Sequence, residues 1–225
     1  MLRRARLVAA KDLVLSVSGG QGLVQAVLLG LLLIFLFSLS KPLGGTISPQ
    51  AAGAIFWLSS AFGLVLIFND LFSLEETNGA RMGLLSTPVP VHAVWLGKGV
   101  AGLGLLLVTQ IVFLPATIAF LGQSVPGSAL LLLGTLLAAD VGLVVLGALL
   151  GALSQGQGAR ESLLSVIVFP LLLPVLLAGI TLFGMVFSGE DIAGAGRWLG
   201  IIGAFDGVFS GAGLILFPFV YGGEE

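Results

Sequence analysis

The chain has 225 residues, 57% of them apolar and 9% charged, with a formal net charge of −2. Soluble domains carry about 25% charged residues, so this composition excludes a water-facing exterior and makes lipid the solvent. There is no cysteine, which excludes disulfides, thiolate metal sites and cysteine nucleophiles. The weak net charge gives no footing for nucleic acid.

The N-terminal run MLRRARLVAAKDLVLSV is basic. It reads either as a helix lying at the membrane surface or as a basic anchor that fixes topology. Six windows then reach the roughly 20 apolar residues that a membrane helix needs: 21–39, 51–68, 91–121, 129–153, 162–187 and 198–221. The first exceeds the roughly 7–15 residues of a signal-peptide core and is read as a retained span. The third and fifth are longer than a bilayer requires, so tilt, a kink or extension past the membrane is expected. Runs such as VLLGLLLIFLF do not alternate, which excludes a transmembrane β-barrel. The expected fold is all-α with six transmembrane helices in a single integral membrane domain over 1–225. With both termini cytoplasmic, the inner side holds Arg3, Arg4, Arg6, Lys11, Arg81, Lys98 and Arg160, and the outer side only Lys41 and Arg197. The positive-inside rule selects that orientation.

Much familiar chemistry is missing. LGKGV lacks the glycine spacing of a phosphate-binding loop, so the chain is not expected to hydrolyse ATP by itself. One histidine, His92, cannot build a histidine-based metal site, and no metal is expected. No G-x-S-x-G elbow occurs. The chain is therefore expected to be non-catalytic. Two acids fall inside spans, Asp140 in the fourth and Asp206 in the sixth. A carboxylate in lipid needs a partner or a wet cavity, and each reads either as a functional polar site or as a hydrogen-bonded packing residue. Gly147-x-x-x-Gly151 and Gly207-x-x-x-Gly211 are candidate close helix contacts. Pro170 and Pro174 both fall in the fifth span. Each removes a backbone donor, so a kinked or broken helix is expected there, as a bend or as a flexing wall.

The segment 69–90 interrupts the apolar chain. Asp70, Glu75, Glu76 and Arg81 precede a small apolar patch of Met82, Leu84 and Leu85, with Gly79 between. Pro88 and Pro90 force an extended stretch before helix resumes near His92. The expectation is a short amphipathic helix at the cytoplasmic face, a hinge at Pro90, and then the third span. Loops between packed helices are more often about 2–8 residues long.

This order of parts resembles type-2 export permeases of ABC transporters: acidic run Glu75-Glu76, Gly79, Leu84-Leu85, Pro88, then Gly97-Lys98. More closely, the chain is similar to the CcmB family, the membrane subunits of cytochrome c maturation haem exporters. The similarity rests on LLSTPVPVHAVWLGK, on GALSQGQGARESLLSVIVFPLLLPVLLAG, and on the closing FD…F and LF…V…EE pattern. It runs from about Asp70 to the end. Met82 and Gly83 stand where many relatives carry Glu-Gln.

The resemblance implies a type-2 ABC exporter permease-like fold whose segment 69–90 is a cytoplasmic coupling helix. Glu75, Glu76, Gly79, Arg81, Met82, Leu84, Leu85 and Pro88 would couple to an ATPase. It implies a bacterial inner-membrane location and a CcmA-like ATPase subunit that binds the ATP. The other implied partners are a haem-handling CcmC-like subunit, a small CcmD-like subunit and a second copy of this chain. Haem is the implied cargo, exported or released on a periplasmic chaperone, with no cofactor held by this chain. Haem iron favours His, Met, Cys or Tyr, and His92, Tyr221 and Met185 form a poor axial set, which favours a mechanical role. The alternative is a type-2 exporter of a lipid, glycan or drug. A secondary transporter, which usually shows internal repeats, and a membrane scaffold are further alternatives.

Overall fold

The computed structural model describes residues 1–19, 21–40, 45–77, 83, 89–154, 161–189 and 192–222. Among them are seven helices, α1 (Leu2–Gly19), α2 (Gln21–Leu39), α3 (Pro49–Thr77), α4 (Val91–Leu121), α5 (Ala129–Ser154), α6 (Glu161–Ser188) and α7 (Ala195–Gly222), with a 3-10 turn at Ile192–Gly194 and no strand. Helices α2 to α7 each contain a stretch long and apolar enough to cross a membrane. Side chains such as Ile111, Leu130 and Phe219 stand more than two-thirds exposed (71%, 81% and 73%). Water would not tolerate that many; hydrocarbon does.

The helices stop where local chemistry stops them. Ser48 Oγ accepts the Ala51 N–H at 3.3 Å at the head of α3, and Ser128 Oγ accepts that of Leu131 at 3.3 Å at the head of α5. Gly122 ends α4 in the left-handed region, at φ 67°, where a side chain would be strained. Pro90 precedes α4 in an extended conformation, φ −60° and ψ 135°.

Two expectations change. The second span was expected to end near residue 68, with a separate short helix following. Instead α3 runs on without a break through Asn69 and Glu75 to Thr77. Neither Gly nor Pro stands between Phe68 and Thr77, and Leu71 and Phe72 continue the buried stripe of Ile67 and Phe68. At 29 residues it is about 43 Å long, against about 30 Å of hydrocarbon. The fifth span was expected to be kinked or broken, and the break does not occur. Helix α6 is continuous through Pro170 and Pro174, and both rings are exposed on its outside. They stand one turn apart, and each removes a backbone donor from the helix.

Helix α3 is the post of the bundle. It packs against α2, α4, α5 and α6, while α1 lies along α4, and α7 packs on α5 and α6. Rings of α3 sit over glycines of its neighbours. A Cβ on Gly147 of α5 would come within 2.7 Å of Phe68, and one on Gly179 of α6 within 2.7 Å of Trp57. Phe68 also covers Gly102 of α4, and Phe72 covers Gly151. Phe56 stacks on Phe183 with centroids 4.8 Å apart. In lipid, helices associate by close van der Waals packing rather than by expelling water, so ring-on-glycine contacts bring backbones together where it counts. Of the two G-x-x-x-G spacings, Gly147–Gly151 is such a contact. At Gly207 and Gly211 a Cβ would meet nothing within 4 Å.

Gly147→Leu should therefore destabilise the protein by about 1–3 kcal/mol through overpacking, while Gly207→Leu is near neutral. Thermal unfolding of both variants in detergent checks this; equal melting temperatures would refute the packing assignment.

Candidate functional site

At the end of the bundle where α1 begins and α7 ends, charged groups from several helices meet inside the protein. Lys98 of α4 is 0% exposed, Glu75 of α3 2% and Asp12 of α1 3%. Lys98 Nζ lies 3.0 Å from Glu75 Oε1 and 3.5 Å from Asp12 Oδ2. It also donates to the Leu71 carbonyl at 3.0 Å and sits 4.4 Å from the centre of the Phe72 ring. Lys11, half-buried, adds a second ammonium 2.9 Å from Asp12 Oδ1 and 3.0 Å from Glu75 Oε1. The other oxygen of Glu75 accepts the Tyr221 hydroxyl at 3.0 Å. Two cations and two anions cancel. Four helices, α1, α3, α4 and α7, are tied at one point.

Each member is placed by its helix. Buried Ala5, Val8, Ala9, Asp12 and Ser16 form one stripe of α1, and Val8 rests on Gly97 of α4 (a Cβ there would come within 2.6 Å). That contact delivers Asp12 to Lys98 one residue on. Glu75 arrives because α3 continues past the apolar core. Burial alone would lower the pKa of Lys11, but the carboxylates of Asp12 and Glu75 outweigh it and hold the ammonium above the ordinary 10.5. A lysine so raised contributes stability that is whole below its ordinary value and is lost only as pH climbs through the raised one. At neutral pH Lys11 is charged.

A second joint lies beside the first. Pro218 in α7 has no N–H, so the carbonyl four residues earlier, that of Leu214, loses its helical donor. His92, in the first turn of α4, supplies one, with Nε2 3.1 Å from Leu214 O. That nitrogen therefore carries a proton. Beside it, Trp95 packs so tightly on Gly213 that a Cβ there would stand 2.6 Å from the indole.

Halfway along the bundle, Asp140 of α5 is fully buried. Its Oδ1 accepts from Gln110 Nε2 of α4 at 2.8 Å, and the same nitrogen lies 3.4 Å from Ser60 Oγ of α3. Asp206 of α7 is half-buried against α5, where its Oδ1 occupies the space a side chain on Gly142 would take. The two acids are not brought together by a shared partner among the described residues.

Of the residues singled out in the sequence, Glu75 is internal and Glu76 lies in the last turn of α3. Gly79, Arg81, Met82, Leu84, Leu85 and Pro88 lie outside the described residues. Pro90 is the residue before α4. Sequence reasoning missed the roles of Lys11, Asp12, Tyr221, Gln110 and the pair His92–Pro218. A lysine and a glutamate at facing ends of adjacent predicted spans was the available signal for Lys98 and Glu75; nothing local marked the others.

Removing one member of a buried charge set leaves its counter-charges stranded, at a cost of about 3–5 kcal/mol. Lys98→Met should show that loss in thermal unfolding, and Lys98→Met with Glu75→Leu should recover part of it. No recovery would show that the two side chains act independently.

The family model described as CcmB protein matches residues 3–222. The chain is 30% identical over 183 residues to "Heme exporter protein B" of Rhodobacter capsulatus, covering 77% of this chain and 79% of that protein. It is 31% identical over 178 residues to "Heme exporter protein B" of Paracoccus denitrificans, covering 78% and 79%. No solved structure matches the chain.

Proposed function

The chain belongs to the CcmB protein family, and on that premise we propose that it is the membrane subunit of a haem-exporting ABC complex for cytochrome c maturation. Similarity to two proteins named heme exporter protein B supports this over an exporter of lipid, glycan or drug. The charge-cluster end, with both termini, faces the cytoplasm, and the protein lies in the bacterial inner membrane. ATP is bound and hydrolysed by a separate CcmA-like chain. CcmC-like and CcmD-like subunits and a second copy of this chain complete the complex, and haem is its cargo.

The observation that carries the mechanism is the buried cluster around Glu75 and Lys98. The coupling segment lies between Glu75, at the end of α3, and Pro90, at the head of α4. The ATPase docks on Glu76, Gly79, Arg81, Met82, Leu84, Leu85 and Pro88, and Pro90 serves as the hinge. Glu75 takes no direct part in docking. It passes displacement of the segment to Lys98, Asp12 and Tyr221, and so to four helices together. Pro170 and Pro174 give α6 a stretch with fewer backbone bonds that can flex against lipid. Asp140 holds α3, α4 and α5 together through Gln110 and Ser60.

This is a mechanical role rather than haem ligation. His92 Nε2 and the Tyr221 hydroxyl are committed to Leu214 and Glu75, and haem iron needs a free axial donor. Purification in mild detergent should bring down an ATPase chain, and Leu84→Asp with Glu76→Lys should lose it while the fold survives. If the wild-type chain brings down no nucleotide-binding partner, the reading fails. The isolated subunit should also give no stoichiometric haem absorbance; a spectrum abolished by His92→Ala or Met185→Leu would show that it ligates haem.

A further inference from the structure

We propose that α7 is the helix that receives the movement of the coupling segment, and that His92 and Tyr221 are the positioning residues that deliver it. The inference rests on the proposed coupling role of the segment after Glu75. The segment's two flanks, one on α3 and one on α4, both end in a hydrogen bond to the last turns of α7.

From α3, Glu75 Oε2 accepts the Tyr221 hydroxyl at 3.0 Å. From α4, His92 Nε2 donates to Leu214 O at 3.1 Å, the carbonyl that Pro218 has released. Trp95 packs on Gly213 beside it. Leu214 and Tyr221 are two turns apart on one side of α7, about 10 Å along its axis. A single grip would let α7 pivot. Two grips at different heights, held by different helices, fix its tilt. When the ends of α3 and α4 move relative to each other, the two points move unequally and α7 must tilt.

The rest of α7 permits it. Only 17% of its membrane window is buried, against 67% for α3. Gly196, Gly200, Gly203, Gly207 and Gly211 each have open space where a side chain would begin. Among the described residues, no side chain of this chain interlocks with that side. The tilt is carried up to Asp206, midway along α7, where its carboxylate meets Gly142 of α5.

The test uses the full complex with its ATPase. Because the chain has no native cysteine, spin labels can be placed on cysteines introduced at Leu137 of α5 and Phe219 of α7, both exposed. Pulsed electron resonance then compares nucleotide-free and nucleotide-trapped states. The wild type should show a change in the α5–α7 distance distribution. His92→Phe with Tyr221→Phe keeps both rings and removes both donors. It should at least halve that change while the ATPase still co-purifies and still binds nucleotide. His92→Gln, which restores a donor, should restore at least half of the lost change. A full change in the double variant, or no change in a wild type that retains its ATPase, would overturn the inference. If no ATPase co-purifies with the wild type, the functional reading fails first and this inference with it; the pull-down tells the two failures apart. Single Tyr221→Phe, which loses only a hydroxyl, serves if the double variant does not fold, and its expected effect is a partial loss of the change. A full change in that variant also overturns the inference.

Discussion

An ammonium sealed inside a membrane protein sets the terms for the end of the bundle where α1 begins and α7 ends. Lys98 has no access to solvent, and an unpaired charge there would cost several kcal/mol. It is tolerable only while Glu75, Asp12 and the Leu71 carbonyl surround it. That need dictates where α1 must lie and how far α3 must extend. It also ties α7 into the same joint through Tyr221. A lone salt bridge between two helices could break without consequence for the others. A set that shares its members cannot, so disturbance of one helix end is felt by all four.

Higher in the bundle the cohesion is of another kind. Rings of α3 lie on glycines of α4, α5 and α6, and dispersion between close backbones does the work that expelled water does in a soluble core. Helices α2 and α7 pack onto this centre through contacts of the same kind, Phe113 on Gly30 and Phe205 on Gly142, and are the most exposed, with 22% and 17% of their windows buried.

Much of this was legible in the residues, for reasons that can be named. Hydropathy alone located the spans, because in lipid a helix must satisfy its own backbone and its length is set by the bilayer. Two spans, 21–39 and 91–121, match α2 and α4 as found. The end of α3 was misjudged because Asp70, Glu75 and Glu76 look like a boundary. Charge marks a boundary only where it meets water, and Glu75 meets Lys11 and Lys98 instead. Asp140 was visible as an intramembrane acid, but its partner Gln110 lies thirty positions earlier on another helix. His92 and Pro218 are farther apart still. Their relation exists only through a carbonyl that one frees and the other occupies, which no local pattern encodes.

The neutrality of the cluster also decides what kind of force can act on it. Moving one elementary charge through a membrane potential is worth about 2.3 kcal/mol per 100 mV. Lys11, Lys98, Asp12 and Glu75 form a set whose formal charges sum to zero, gathered at one end of the bundle. Voltage across the membrane therefore has no handle on this joint.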